Sequence, residues 1–168
     1  VGGAAWLVEH AAAFVAGDSG QNKERGPQPG LGFDLYAGTG AFARALLAHG
    51  MREVVAVEVA DVSVQALSTI PRVRAIGGRV GDVLDQLRAA GTPAGLVVDP
   101  PKQGLKEDAA ALAGLGAARV AVVSCDVDNG AKDVKAFVDA GYVVVEVVPV
   151  DLFPGSAEVE VLTLLWLP

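Results

Sequence analysis

Cysteine is almost missing from this chain: Cys125 is the only one in 168 residues, so an internal disulfide framework is excluded and a cysteine-built metal site has too few ligands. Positive charge is scarce as well. Thirteen Lys and Arg stand against twenty Asp and Glu, a net charge of −7, which argues against broad electrostatic capture of nucleic acid. Local cations remain, and Lys102, Lys106, Lys132 and Lys135 follow two suggestive strand ends. The two histidines, His10 and His49, fall on helical segments away from the strand ends and read as surface residues. Trp6 and Trp166 read as packing residues. No apolar stretch reaches the roughly 18 uncharged residues of a membrane-spanning helix. The first residues have neither the basic start nor the cleavage site of a signal peptide. With one thiol, these absences lead us to expect a reducing, cytoplasmic setting.

What is present is 52% hydrophobic, enough for one domain of ordinary size to bury a core. Short β-rich runs alternate with alanine-rich helical ones. Phe33–Tyr36, Glu53–Glu58, Val73–Ile76, Gly95–Asp99, Arg119–Ser124, Tyr142–Val148 and Val159–Trp166 read as strands, most of them continuously apolar as in a sheet buried on both faces. Gly3–Ala16, Ala41–Ala48, Val62–Ser68, Val83–Ala89, Glu107–Leu115 and Ala131–Asp139 read as helices. Repeated β-α-β units predict an α/β fold with a mostly parallel, doubly wound, seven-stranded sheet. Only Pro149–Ala157 separates the last two strands, too short for a crossover helix, so they should form an antiparallel hairpin at one edge. Residues 1–32 are expected to be an N-terminal helix and a flexible connection over Gly17–Gly32, and residues 33–168 the main domain.

Ligands of such sheets bind beyond the carboxyl ends of the strands. The first strand runs into Asp34-Leu35-Tyr36-Ala37-Gly38-Thr39-Gly40 and then a helix, where Gly38 and Gly40 permit a tight turn and close backbone approach to a ligand. The turn lacks a dinucleotide fingerprint's third glycine and a P-loop's Lys-Ser/Thr. The second strand ends at Glu58, twenty residues after Gly38, where a carboxylate can accept both hydroxyls of a ribose or simply open a helix capped by Asp61. Asp82, after the third strand, is placed to accept from an adenine amine or to cap the next helix. Together these describe a nucleoside pocket. Asp99-Pro100-Pro101 holds Asp99 on a rigid support at its floor. Val122-Val123-Ser124-Cys125-Asp126 then brings the lone thiol to a strand end, where it is either a nucleophile or a small core residue.

This motif series resembles that of class I S-adenosylmethionine-dependent methyltransferases. Val123-Ser124-Cys125-Asp126 and Asp151-Leu152-Phe153-Pro154-Gly155-Ser156-Ala157-Glu158-Val159-Glu160 are similar to the catalytic-cysteine and catalytic-glutamate motifs of bacterial RNA uracil-5-methyltransferases, and the resemblance covers that family's catalytic domain only. It implies a Rossmann-like fold, S-adenosyl-L-methionine as cofactor, tRNA or rRNA as partner, and no metal. By this resemblance Cys125 adds to carbon 6 of uracil, which makes carbon 5 nucleophilic toward the sulfonium methyl, and Glu160 then removes the carbon-5 proton. Asp34, Tyr36, Gly38, Gly40, Glu58 and Asp82 would bind the cofactor, with Gly40 completing the turn, and Asp99 would sit beside the cofactor's methionine part. The target uridine would have to leave its stack.

The chain departs from the family pattern at three places. Asp126-Val127 follows the cysteine where Asn-Pro is usual, Glu158 replaces the histidine of His-x-Glu, and Ala41 stands where a polar residue is common. A carboxylate at Asp126 is expected to raise the thiol's pKa. Two other readings stay open at this stage: an amino-directed methyltransferase that does not use Cys125, and a non-catalytic cofactor- or RNA-binding module.

Overall fold

The computed structural model describes residues 2–17, 30–152 and 159–168. Seven strands form one sheet: β1 (Leu31–Leu35), β2 (Glu53–Glu58), β3 (Val73–Gly77), β4 (Gly95–Val98), β5 (Arg119–Ser124), β6 (Val143–Val150) and β7 (Glu160–Trp166). Their order is β3-β2-β1-β4-β5-β7-β6. β1 to β5 run parallel, and β7 enters antiparallel to both β5 and β6, which makes the expected terminal hairpin. The alternation of Val-rich runs with crossover helices accounts for this, since each parallel strand is buried on both faces. β1, β4 and the middle of β2 are buried throughout.

Among the described residues, six helices cover the sheet: α1 (Gly3–Ala16), α2 (Ala41–Ala48), α3 (Asp61–Ser68), α4 (Leu84–Ala90), α5 (Asp108–Ala113) and α6 (Val127–Asp139). The first three lie on one face, where Leu7, Ala11, Phe42, Leu46 and Leu67 share a core with Val54, Val97 and Leu164. The other three lie on the opposite face with Leu87, Leu112 and Phe137 packed on Phe33, Val57 and Val122. α1 packs closely over β4: a Cβ on Gly95 would lie 2.3 Å from the Val15 side chain, so only glycine lets the helix come this near.

Several boundaries differ from expectation, and three of the differences have a local cause or bear on the site. β1 begins at Leu31, within the segment expected to be a connection, because Leu31 and Gly32 pair with Glu53 and Val54. Residues 18–29 of that segment lie outside the described residues. Asp61 does not cap α3 but occupies its first turn after Ala60. α6 starts four residues before the expected Ala131. Asp128, Asn129 and Gly130 are poor helix formers, yet the Asp126 side chain accepts from the Asn129 N–H at 2.9 Å and caps the helix.

Candidate functional site

The strand order reverses between β1 and β4, so the carboxyl ends of these strands diverge and leave a crevice. The glycine turn lies on one side of it. Tyr36, Gly38 and Gly40 all have positive φ, at 64°, 53° and 90°. Tyr36 is a bulky residue in the left-handed region, a conformation rare outside functional turns. Gly40 donates to the Ala37 carbonyl at 2.9 Å and closes the turn. A Cβ on Gly40 would overlap Ile70 and Leu67, whereas one on Gly38 would meet nothing within 4 Å. Gly40 therefore packs inward, while Gly38 has open space beside its backbone.

Asp34 anchors this turn from beneath. It is fully buried and accepts from the Ala43 N–H at 2.8 Å with Oδ2. Its Oδ1 is, among the described residues, the buried side-chain oxygen that has no partner. Burial lifts its carboxyl to about 7 against the pull of the Ala43 N–H, and the charges of Asp99 and Glu58 add to the rise.

Glu58 lies opposite Gly38 as the spacing predicts, but three backbone N–H groups already engage it. Oε2 accepts from Gly38 at 2.9 Å, and Oε1 accepts from Val59 at 2.7 Å and Ala60 at 3.0 Å. This ties β2 to the glycine turn, and the lone pairs left over can still accept ribose hydroxyls.

Between these groups and the chain after β4 is a cleft of about 510 Å³, lined by Tyr36, Glu58, Gly78, Arg79, Val80, Pro101 and residues 103–108. Its size and mixed lining suit a nucleoside-sized ligand. Asp82 is not in its wall: it is exposed in a 3-10 turn, Gly81–Val83, and its charge acts on Asp108. Asp108 itself lines the cleft, and Gly81 approaches it so closely that a Cβ there would lie 2.6 Å from its carboxylate. Sequence reasoning passed over Asp108 and Arg79, although an acidic pair, Glu107-Asp108, opening a helix after Asp-Pro-Pro is a visible signal. Tyr36 is pushed up to about 12 by burial and by the nearby Asp108 and Asp133.

The thiol lies across β4 from the glycine turn. Cys125 follows Ser124, the last residue of β5, and Ser124 pairs with Val161 of antiparallel β7, next to Glu160, whose charge acts on the thiol. Ser124 is held at both ends: its hydroxyl donates to the Asp126 carbonyl at 2.7 Å, and Gly130 sits against it so tightly that a Cβ would be 2.7 Å away. Cys125 is partly exposed. Its thiol is raised first by burial and then by Glu160, with a smaller push from Asp99; its own backbone N–H and Lys102 act the other way. The expectation that Asp126 would do the raising is corrected here, because that carboxylate is turned away to cap α6. Asp99 is an exposed residue, yet desolvation of its carboxyl, and then the charge of Glu160, raise it to about 6. The structure thus groups Cys125, Glu160 and Asp99, and separately Asp34, Tyr36, Gly38, Gly40 and Glu58, while Asp82 stands apart from the cleft wall. Residues 153–158 of the glutamate motif lie outside the described residues. Among those described, no cluster of His, Cys, Asp or Glu is placed to hold a metal ion, and no helix is long and apolar enough to cross a membrane.

Comparison with known proteins bears on this arrangement. An uncharacterized RNA methyltransferase of Caldanaerobacter subterraneus subsp. tengcongensis is 36% identical over 135 residues, 76% of this chain and 30% of that protein. An uncharacterized RNA methyltransferase of Geobacter sulfurreducens is 34% identical over 142 residues, 79% of this chain and 28% of that protein. This chain resembles RNA methyltransferases. It spans about 30% of the length of the relatives it matches. No protein-family model matches. Among solved structures, a precorrin-6y C5,15-methyltransferase of Geobacter metallireducens superposes with a TM-score of 0.67 at 15% identity, covering 84% of this chain and 81% of that one. A 1,6-didemethyltoxoflavin-N1-methyltransferase of Burkholderia thailandensis, with S-adenosylhomocysteine bound, superposes at 0.64 with 16% identity, covering 96% and 79%. The fold is that of Rossmann-like methyltransferases.

Proposed function

We propose that this chain is the methyl-transferring part of an S-adenosylmethionine-dependent RNA methyltransferase and that it acts on carbon 5 of a uridine through a covalent bond to Cys125. The relatives' names support the coarser reading. The finer one is supported by the pairing of Ser124 with Val161, which brings the ends of β5 and β7 together so that the charges of Glu160 and Asp99 act on Cys125.

The residues around the cleft fit the cofactor. Gly38 leaves open space above its backbone, Glu58 keeps acceptor capacity for a ribose, and Asp34 holds an unpartnered oxygen under the turn. When bound, the cofactor supplies an electrophilic methyl group on a sulfonium. The chain's own residues prepare the acceptor. The Cys125 thiolate adds to carbon 6 of the uracil ring, the displaced electron pair moves onto the carbon-4 oxygen, and carbon 5 becomes the nucleophile. After transfer, the Glu160 carboxylate takes the carbon-5 proton and the electrons left behind expel the thiolate, which restores the ring. Because burial and Glu160 both disfavour the thiolate, single-turnover rates should climb from neutral toward alkaline pH.

RNA containing 5-fluorouridine tests this reading, since fluorine at carbon 5 cannot leave as a proton and traps the bond. With cofactor present, a denaturation-resistant protein–RNA adduct is expected by mass spectrometry and should vanish in Cys125→Ala. Glu160→Gln should instead accumulate adduct on ordinary uridine RNA. Methyl transfer that survives Cys125→Ala and goes to an exocyclic amine would replace this reading with the amino-directed one.

A further inference from the structure

Segment 101–106, which follows Asp99 and carries Lys102, is tied to α6 by side chains that the catalytic scheme leaves unused. Asn129 and Asp133 stand four residues apart on one face of α6. Asn129 Nδ2 donates to the Lys102 carbonyl at 3.0 Å. Asp133 is 3% exposed, and both its oxygens accept from the Leu105 N–H at 3.0 Å; the Lys106 N–H also favours its charged form. Gly104 lies between the two anchors with φ +71°, and a Cβ there would be 2.8 Å from the Asp133 carboxylate and 3.3 Å from Asn129 Cβ. Lys106 also takes a left-handed φ of 52°, which a side-chain-bearing residue holds only under outside restraint. A buried carboxylate spent on loop N–H groups fixes that loop's path.

The same helix begins two residues after Cys125, so the anchors measure the loop directly against the thiol. The charged groups acting on Cys125 are Glu160 from β7, Asp99 from the end of β4 and Lys102 from this loop; Asp126 is occupied at the cap and Lys132 Nζ donates to Asn129 Oδ1 at 3.3 Å. Lys102 is the cation of that set. We propose that Asn129 and Asp133 are positioning residues that clamp segment 101–106 and so hold Lys102 beside Cys125 as the counter-cation of its sulfur.

The inference rests on Cys125 being the nucleophile, but its test needs neither RNA nor cofactor, so the two ideas fail separately. Iodoacetamide alkylation of the single thiol is followed against pH in the intact chain, with circular dichroism confirming the fold of each variant. Lys102→Ala should move the midpoint of the profile upward and slow alkylation at pH 7 by about two- to fivefold, the size expected of one partly screened charge. Asn129→Ala changes no charge, yet it should move the midpoint the same way. In the Lys102→Ala background it should add nothing, because its effect passes through the lysine. Glu160→Gln should move the midpoint down. An unchanged profile in Asn129→Ala, or an equal shift with and without Lys102, would overturn the clamp. If Asp133→Ala unfolds the chain, the neutral Asn129 variants still decide the matter.

Discussion

Asp34 shows how one residue links the turn to stability. Its carboxyl sits at about 7 when folded against an ordinary 3.8, because burial penalises its charge. An acid whose folded pKa is raised keeps a proton that the unfolded chain has released. Its contribution is therefore favourable at pH below the unfolded value and is lost as pH rises toward 7. The melting temperature should fall as pH rises from 3.8 to about 7, by an amount corresponding to a few kcal/mol at most. Asp34→Asn should flatten that slope, since the amide keeps an acceptor for the Ala43 N–H and carries no charge; a melting curve series against pH reads it directly. The unpartnered Oδ1 is the structural sign of the same tension.

At the scale of elements, the β1–α2 turn separates two glycines that look alike in the sequence. Gly40→Ala forces a Cβ to 2.7 Å from Ile70 and 2.8 Å from Leu67 at a φ of 90°, so it should cost about 3 kcal/mol in a denaturant titration. Gly38→Ala has open space and only the left-handed backbone to overcome, about 1 kcal/mol. Its larger effect is expected in calorimetry, as weaker binding of S-adenosylmethionine. Both glycines, Glu58 and the strand ends were legible because turn chemistry is local and a parallel strand shows as an apolar run. The start of α6 was not, since the Asp126 cap and the Ser124–Gly130 contact override weak propensity. That early start is what brings Asn129 onto the helix and out of reach of pattern reading.

For the whole molecule, the edge of the sheet is a liability. β6 is exposed along most of its length, with Val145 at 54% and Val147 at 58%, and it pairs with β7 on one side. An apolar, exposed edge strand invites pairing with another chain. Glu146 is the one charge among its valines and is engaged by His10 at 2.9 Å. Val145→Lys with Val147→Lys should lower concentration-dependent self-association in light scattering while leaving the melting temperature nearly unchanged, because neither valine is in the buried core. The assembly of seven strands, with the last two turned back as a hairpin, followed from spacing: the connections of 14 to 20 residues leading into β2 through β6 permit a crossover helix, and the nine residues between Val150 and Glu160 do not.

The sequence by itself determined the layered α/β fold and the terminal hairpin, because periodicity, turn residues and loop length are properties of neighbouring residues, and its motifs are what single out Cys125 and Glu160 as the proposed catalytic pair. Only the tertiary structure decided what acts on the thiol. Asp126, adjacent in the chain, is turned to a helix cap, while Glu160, Asp99 and Lys102 come from three other segments. Electrostatics falls off with distance in space, and a chain folded through parallel crossovers brings together charges that its sequence keeps far apart.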